Sequence, residues 1–252
     1  MAKLRLFRYD LSVEHAPDAR TVTNYDVLKT LAVFLMIADH VGLYLYPDFE
    51  MLRVLGRLSL PIWFFLIGFA RSRDVPFAWI FWMGVDLGLS AGLGLPVHPN
   101  MLLTLALVRL SLDALTPLLY PRSRFTIAFG VFALILMPLT QPILDYGSYA
   151  WPLAAIGLWA RKDGTTGLGW MAAVLFGYFA VESLNFQLND PQMLIFAGGL
   201  VCLLPLLACF NGDGRMRLSG WSAAIFKFFG AYSLVFYALF LIALKILWFF
   251  VH

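Results

Sequence analysis

Asp39 and His40 stand side by side inside an apolar run, LKTLAVFLMIADHVGLYLY, that extends from Leu28 to Tyr46. A run of about twenty residues is long enough to cross the hydrocarbon core of a bilayer. A charged side chain at that depth costs several kcal/mol, so such residues face protein, find partners and often carry function. Histidine titrates close to neutral pH and can take and return a proton during a reaction. A carboxylate beside it is one device for fixing the tautomer of its ring. Successive helix positions are rotated by about 100°, so Asp39 need not touch His40. It has Arg53 and Arg57 as alternative partners. The same residues also fit a purely structural carboxylate–arginine clamp with His40 packed in the core.

The other charges within apolar runs extend this set. Arg53 and Arg57 are four apart and share one helix face at the outer end of the second run. Asp86 lies in the third run, Glu182 near the outer end of the seventh, and His98 and Asn100 flank the outer loop between the third and fourth. Counting depth along each helix places all of these, with Asp39 and His40, in the outer half of the protein. His40, with Asp39 beside it, is the candidate for proton chemistry, and Arg53, Arg57, Asp86 and Asn100 complete the candidate site. Arg109 is expected to pair along its helix with Asp113, four residues on. Lys245, near the outer end of the last run, is expected to snorkel to the interface.

Several chemistries are excluded by what is missing. The histidines are His15, His40, His98 and His252, and none has a second ligand at zinc-site spacing. Neither a phosphate-binding loop nor a dinucleotide fingerprint occurs, and no tightly bound cofactor is expected. Cys202 and Cys209 share a helix face about two turns apart, too far for a mutual disulfide, and are read as packing residues. The aromatic clusters at 63–65 and 77–82 read mostly as lipid and interface packing.

The elements that must position these residues are membrane helices. The chain has 252 residues, of which 61% are hydrophobic and 13% charged, with a mean hydropathy of +0.80. Soluble domains run at about 45–50% apolar and about 25% charged residues. The chain therefore reads as an all-α, polytopic membrane bundle whose principal partner is the lipid bilayer, and no nucleic-acid partner is expected. Apolar runs at about 27–46, 54–71, 77–96, 100–120, 125–144, 149–160, 166–186, 192–210 and 226–250 predict nine helices, with eight or ten as alternatives. The sixth is short, as expected for a buried helix or a re-entrant segment. Residues 1–24 read as a polar cytoplasmic arm without the apolar centre of a signal peptide, and residues 25–252 as one transmembrane domain. With the N-terminus inside, Arg71, Arg73, Arg122, Arg124, Arg161, Lys162, Arg215 and Arg217 all fall on the cytoplasmic side. The outer loops PVHPN, LDYGS and NFQLNDP contain no lysine or arginine, as the positive-inside rule requires.

The segment LKTLAVFLMIADHVGLYLYPDFEMLRVLGRLSLPIWFFLIGFA resembles the TraX family of bacterial membrane proteins. The resemblance rests on Asp39-His40-Val41-Gly42 at the end of the first helix, then on Arg53, Gly56, Arg57 and Pro61. It continues more weakly through NMLLTLAL from Asn100 and DYGSYAWPLAAIGLWAR from Asp145. It implies an acyltransferase of the bacterial inner membrane that moves an acetyl group from acetyl-CoA to an amine or hydroxyl, such as a pilin-like N-terminus or a glycan. By that resemblance His40 would deprotonate the acceptor, Asp39 would orient or charge-compensate it, and Arg57 with Arg53 would hold the thioester oxygen or shape the site. Asn100 would donate to the oxyanion, and Arg71, Arg73 or Arg122 would meet the CoA phosphates. The family's last helix commonly carries a Tyr-Pro-x-His-like motif, whereas FYALFLIAL has Ala238 and Phe240 at the Pro and His positions. That departure keeps open a catalytically altered accessory subunit of a larger membrane complex. A transporter using the buried charges as a proton relay finds no internal repeat to support it.

The topology is testable. Single cysteines beside Arg73, Arg124, Lys162 and Arg217 are expected to label from the cytoplasmic side, and those beside His98 and Asp145 from the other. Opposite labelling of two neighbouring basic connections refutes the nine-helix arrangement.

Overall fold

The bundle is formed by ten α-helical segments among the described residues, which in this computed structural model are 20–95, 101–119, 124–144, 146–163 and 167–251. These are α1 (Asn24–Tyr44), α2 (Met51–Arg57), α3 (Ser59–Phe69), α4 (Phe77–Gly92), α5 (Met101–Leu119), α6 (Arg124–Thr140), α7 (Ala150–Asp163), α8 (Leu168–Asn185), α9 (Asp190–Ala208) and α10 (Gly220–Val251). α2 and α3 follow one another through Leu58 and together make the expected second span. Six spans (α1, α2–α3, α5, α8, α9 and α10) are long and apolar enough to cross a membrane, whereas α4 and α6 are shorter apolar helices. The fold is an all-α membrane bundle.

Local chemistry sets the helix starts. Thr23 caps α1 by accepting from the Asp26 amide, while the Thr23 amide donates to the Asp26 carboxylate at 3.0 Å. Asn189 and Gln192 make the same reciprocal pair at the start of α9, where Pro191 needs no hydrogen bond for its missing N–H. Two three-residue strands add a feature the apolar pattern did not contain. β1 (Thr21–Thr23) pairs antiparallel with β2 (Arg215–Arg217), with Val22 opposite Met216. The pair ties the start of α1 to the segment before α10.

α1 and α10 then run side by side in the same direction. The Lys29 ammonium donates to the Gly230 carbonyl at 3.1 Å, Phe34 packs edge-on against Phe229, and His40 against Tyr237. α10 bends at Tyr232, whose φ of −110° and ψ of 15° leave the helical region. The Gly230 carbonyl taken up by Lys29 lies at this bend.

The short sixth span is the centre of the fold. α7 has 14 residues, and Ala150, Leu153, Ala154, Ala155, Ile156, Leu158 and Trp159 are all buried. A helix apolar on every side belongs in the interior. It crosses α3 at two glycines. A Cβ on Gly68 would strike the Ala154 carbonyl, and one on Gly157 the Phe65 carbonyl. Membrane helices lack a hydrophobic drive toward one another and rely on such close backbone approach.

Phe64 and Phe65 are fully buried core residues, not lipid-facing ones. Cys202 on α9 and Cys209 just past its end are exposed, not packed. Gly68→Val and Gly157→Val are each expected to destabilise the protein by about 1–3 kcal/mol or more, because a packed crossing has no room for added methyl groups. Gly88→Ala, inside α4 with nothing within 4 Å of the new Cβ, is expected to hold or slightly raise the unfolding midpoint. Thermal unfolding in detergent micelles checks all three.

Candidate active site

Asp39 is held where α1 meets α2 back to back. A Cβ on Gly56 would collide with the Asp39 backbone, so glycine is what lets the two helices close. Gly42 does the same about a turn farther along α1, facing Leu52 and Arg53. This approach carries the Arg53 Nε to 2.9 Å and the Arg57 Nε to 3.7 Å from the Asp39 Oδ1. The Arg53 contact is an ion pair by distance but is not aligned as a hydrogen bond. Glu182 of α8 is the second carboxylate of the cluster, its Oε2 3.8 Å from the Arg57 Nε. Phe186 stacks under both guanidinium groups, with centroids 5.4 Å from Arg53 and 4.6 Å from Arg57. Two carboxylates and two arginines thus neutralise each other in a low-dielectric interior.

Pro61 explains a further link. Lacking an N–H, it cannot donate to the Arg57 carbonyl four residues earlier. The buried Tyr178 hydroxyl donates to that carbonyl at 2.9 Å. The proline was legible in the sequence. Its partner on α8 was not, because the link depends on tertiary packing.

His40 makes its hydrogen bond outside this cluster. Its Nδ1 lies 2.9 Å from the Met36 carbonyl. A carbonyl only accepts, so in the neutral ring the proton sits on Nδ1 and the lone pair on Nε2. The tautomer is therefore fixed by the backbone of α1, not by Asp39. The His40 ring meets Tyr237 of α10 edge-on, centroids 5.7 Å apart.

Asp86 is taken up by a residue that sequence reasoning assigned to the interface. The Lys245 Nζ donates to the Asp86 Oδ1 at 2.6 Å and to the Ser90 Oγ at 2.8 Å, and Ser90 donates to the Asp86 carbonyl. Lys245 is 8% exposed and Asp86 3%. The lysine does not snorkel because a buried carboxylate lies within its reach. Helical spacing could have linked Asp86 to Ser90, but not to a lysine 159 residues away. Asp113 likewise pairs with Arg73, at 2.9 Å, and not with Arg109 as the four-residue spacing suggested. Arg109 lies over the Trp79 ring at 5.5 Å.

A cavity of about 1290 Å³ opens at the end that carries β1 and β2. Arg71, Ser72, Arg161, Asp213 and Arg215 line it there. Farther in, its walls are Trp63, Trp79, Trp82, Leu105, Arg109 and Tyr237. The tryptophans of both aromatic clusters thus serve a cavity. Asp39, His40, Arg53 and Arg57 do not line it. His40 reaches it through Tyr237.

The candidate CoA-binding arginines differ in what they already do. Arg73 gives its Nε to Asp113 and its Nη1 to the Ile67 and Ala70 carbonyls, closing the end of α3. Arg161 also donates to the Ala70 carbonyl, at 2.6 Å. Arg71 is exposed and lines the cavity mouth. Arg122, Asn100 and His98 lie outside the described residues.

The TraX protein family profile matches residues 24–248. The chain belongs to the TraX family. The match takes in every helix from α1 to α10, and with them the Asp39–Arg53–Arg57–Glu182 cluster, His40 and the cavity walls. An uncharacterized protein of Rickettsia prowazekii (strain Madrid E) is 30% identical over 153 residues. That alignment covers 58% of this chain and 60% of the relative. No solved structure matches. Membership of TraX, with the apolar helices, makes this a multi-pass membrane protein.

The Lys245–Asp86 pair yields a prediction. Removing one partner of a buried pair leaves an uncompensated charge and costs roughly 3–5 kcal/mol. Lys245→Met and Asp86→Leu are each expected to be destabilised by that order, and the double variant to recover most of the loss. A double-mutant cycle on thermal unfolding in micelles measures the recovery.

Proposed function

We propose that the protein is an acyltransferase of the bacterial inner membrane, moving an acetyl group from acetyl-CoA to an amine or hydroxyl acceptor such as a pilin-like N-terminus or a glycan. The observation that carries this reading is His40. Its proton is pinned on Nδ1 by Met36, its Nε2 holds a lone pair, and its neighbour Tyr237 lines a cavity open toward Arg71. In the proposed reaction the acceptor nitrogen or oxygen attacks the thioester carbonyl while Nε2 takes the acceptor's proton. The carbon–sulfur bond then breaks, and the CoA sulfur leaves as a thiolate that receives that proton from His40. General-base assistance of this kind is worth about 10²–10⁴-fold in rate. Arg71 at the cavity mouth suits the CoA phosphates, as does Arg122 by its place in the sequence. Arg73 would have to give up its α3 carbonyls to join them. Asp39 acts on Arg53 and Arg57 by neutralising them, and Asn100 is assigned to the oxyanion by the family resemblance.

A second reading is an accessory subunit of a larger membrane complex that retains the scaffold without the chemistry. Two observations favour it. The arginines of α2 are already neutralised by Asp39 and Glu182, and the last helix has Ala238 and Phe240 where the family pattern has proline and histidine.

His40→Ala is expected to abolish acetyl transfer while the protein still inserts and unfolds at the parent temperature. Mass spectrometry of candidate acceptors incubated with acetyl-CoA and the purified protein reads the transfer. Full transfer by the variant removes His40 from the chemistry. An intact parent that neither binds acetyl-CoA nor transfers its acetyl group supports the accessory-subunit reading.

A further inference from the structure

The cavity is large, and its α3–α5 side is apolar. At about 1290 Å³ it exceeds the roughly 300–1,000 Å³ of sites for drug-sized ligands. A pantetheine arm carries two amides, which need partners when they leave water. Above the mouth, α3 and α5 instead present Trp63, Leu66, Ile67, Leu102 and Leu105. Phe77 and Phe81 of α4 line it and are 37% and 51% exposed. Charge is distributed unevenly around it. Lys29, Arg71, Arg109, Arg161 and Arg215 are among its lining residues, and Asp213 is the one carboxylate described there.

We propose that this cavity binds a phosphate-headed amphiphile with a long acyl chain. The phosphate lies at the mouth against Arg71, flanked by Lys29 and Arg215. The chain runs inward between α3 and α5 past Trp63 and Leu105, and the α4 side toward Phe77 and Phe81 is its route to the bilayer. Two sources share this chemistry: an anionic membrane phospholipid and a long-chain acyl thioester of CoA. The proposal concerns binding alone and holds whether or not His40 transfers an acyl group.

The test uses the full-length protein in dodecyl maltoside micelles, which contain no phosphate. Dipalmitoyl phosphatidylglycerol, palmitoyl-CoA or free CoA is added, and native mass spectrometry counts what is retained. One equivalent of phosphatidylglycerol or of palmitoyl-CoA is expected, with free CoA held about tenfold more weakly or worse, since roughly tenfold is the loss of a single good contact. Whichever amphiphile is held more tightly identifies the source. Ala78→Phe and Leu105→Trp, which place bulk in the chain's path, are expected to lower retention by at least about tenfold, as is Arg71→Glu at the mouth. Arg71 is exposed, so its variant tests binding even where a buried substitution disturbs folding. Retention of neither amphiphile overturns the proposal, as does free CoA bound as tightly as palmitoyl-CoA, or retention unchanged in all three variants. Absence of acetyl transfer by a protein that retains the amphiphile overturns only the acetyltransferase reading.

Discussion

A carboxylate at bilayer depth must be answered by a cation, and Asp39 is answered by two. The interior offers no water to solvate a stray charge, so every ionised side chain there constrains the helix it sits on. Asp39 fixes α1 against α2 through Arg53 and Arg57, and Glu182 brings α8 to the same point. Asp86 does the same on another wall, joining α4 to α10 through Lys245. These two clusters tie together helices that lie far apart in the chain. The pairs are costly to build. Their value is that each has few alternative partners in an apolar interior, so they fix which helices meet.

Between them the backbone supplies the rest. α7 is short because it is enclosed, and its alanines and Gly157 let α3 lie directly against it. That contact holds one face of α3 while its other side, from Trp63 to Phe69, forms a wall of the cavity. The opposite wall is α10, bent at Tyr232. The empty space thus lies between a rigid crossing and a bent helix.

The architecture was largely legible in the sequence because hydropathy is a one-dimensional signal. The nine apolar runs each match a helical stretch, with the second divided at Leu58. The Asp39 side of the candidate site was legible too, since a short hairpin makes α1 and α2 neighbours and places Arg53 and Arg57 opposite the carboxylate. Glu182 was correctly placed by depth. Distant pairings were not legible. Lys245 looks like an interfacial lysine until Asp86 is found beside it. Arg109 and Asp113 have ideal helical spacing, yet Arg73 takes the carboxylate. Depth gives one coordinate of three, and the other two come from packing. The tryptophans of the aromatic clusters showed no sign of lining a cavity, because exposure to lipid and exposure to an internal space select the same residues.

The parallel contact of α1 with α10 has a consequence for how the protein comes into being. Chains are made from the N-terminus, and early segments fold first. Asp39 can find Arg53 and Arg57 as soon as the first hairpin has entered the membrane. β2 and α10 are made after α1 to α9, so the start of α1 waits for β2 and His40 waits for Tyr237. During most of synthesis α1 presents the flank that α10 will cover, and with it His40, to lipid or to whatever protein attends insertion. The cavity thus forms only once α10 has been made. A ribosome stalled before Gly220 leaves a protein with its charge clamp assembled and no enclosed site.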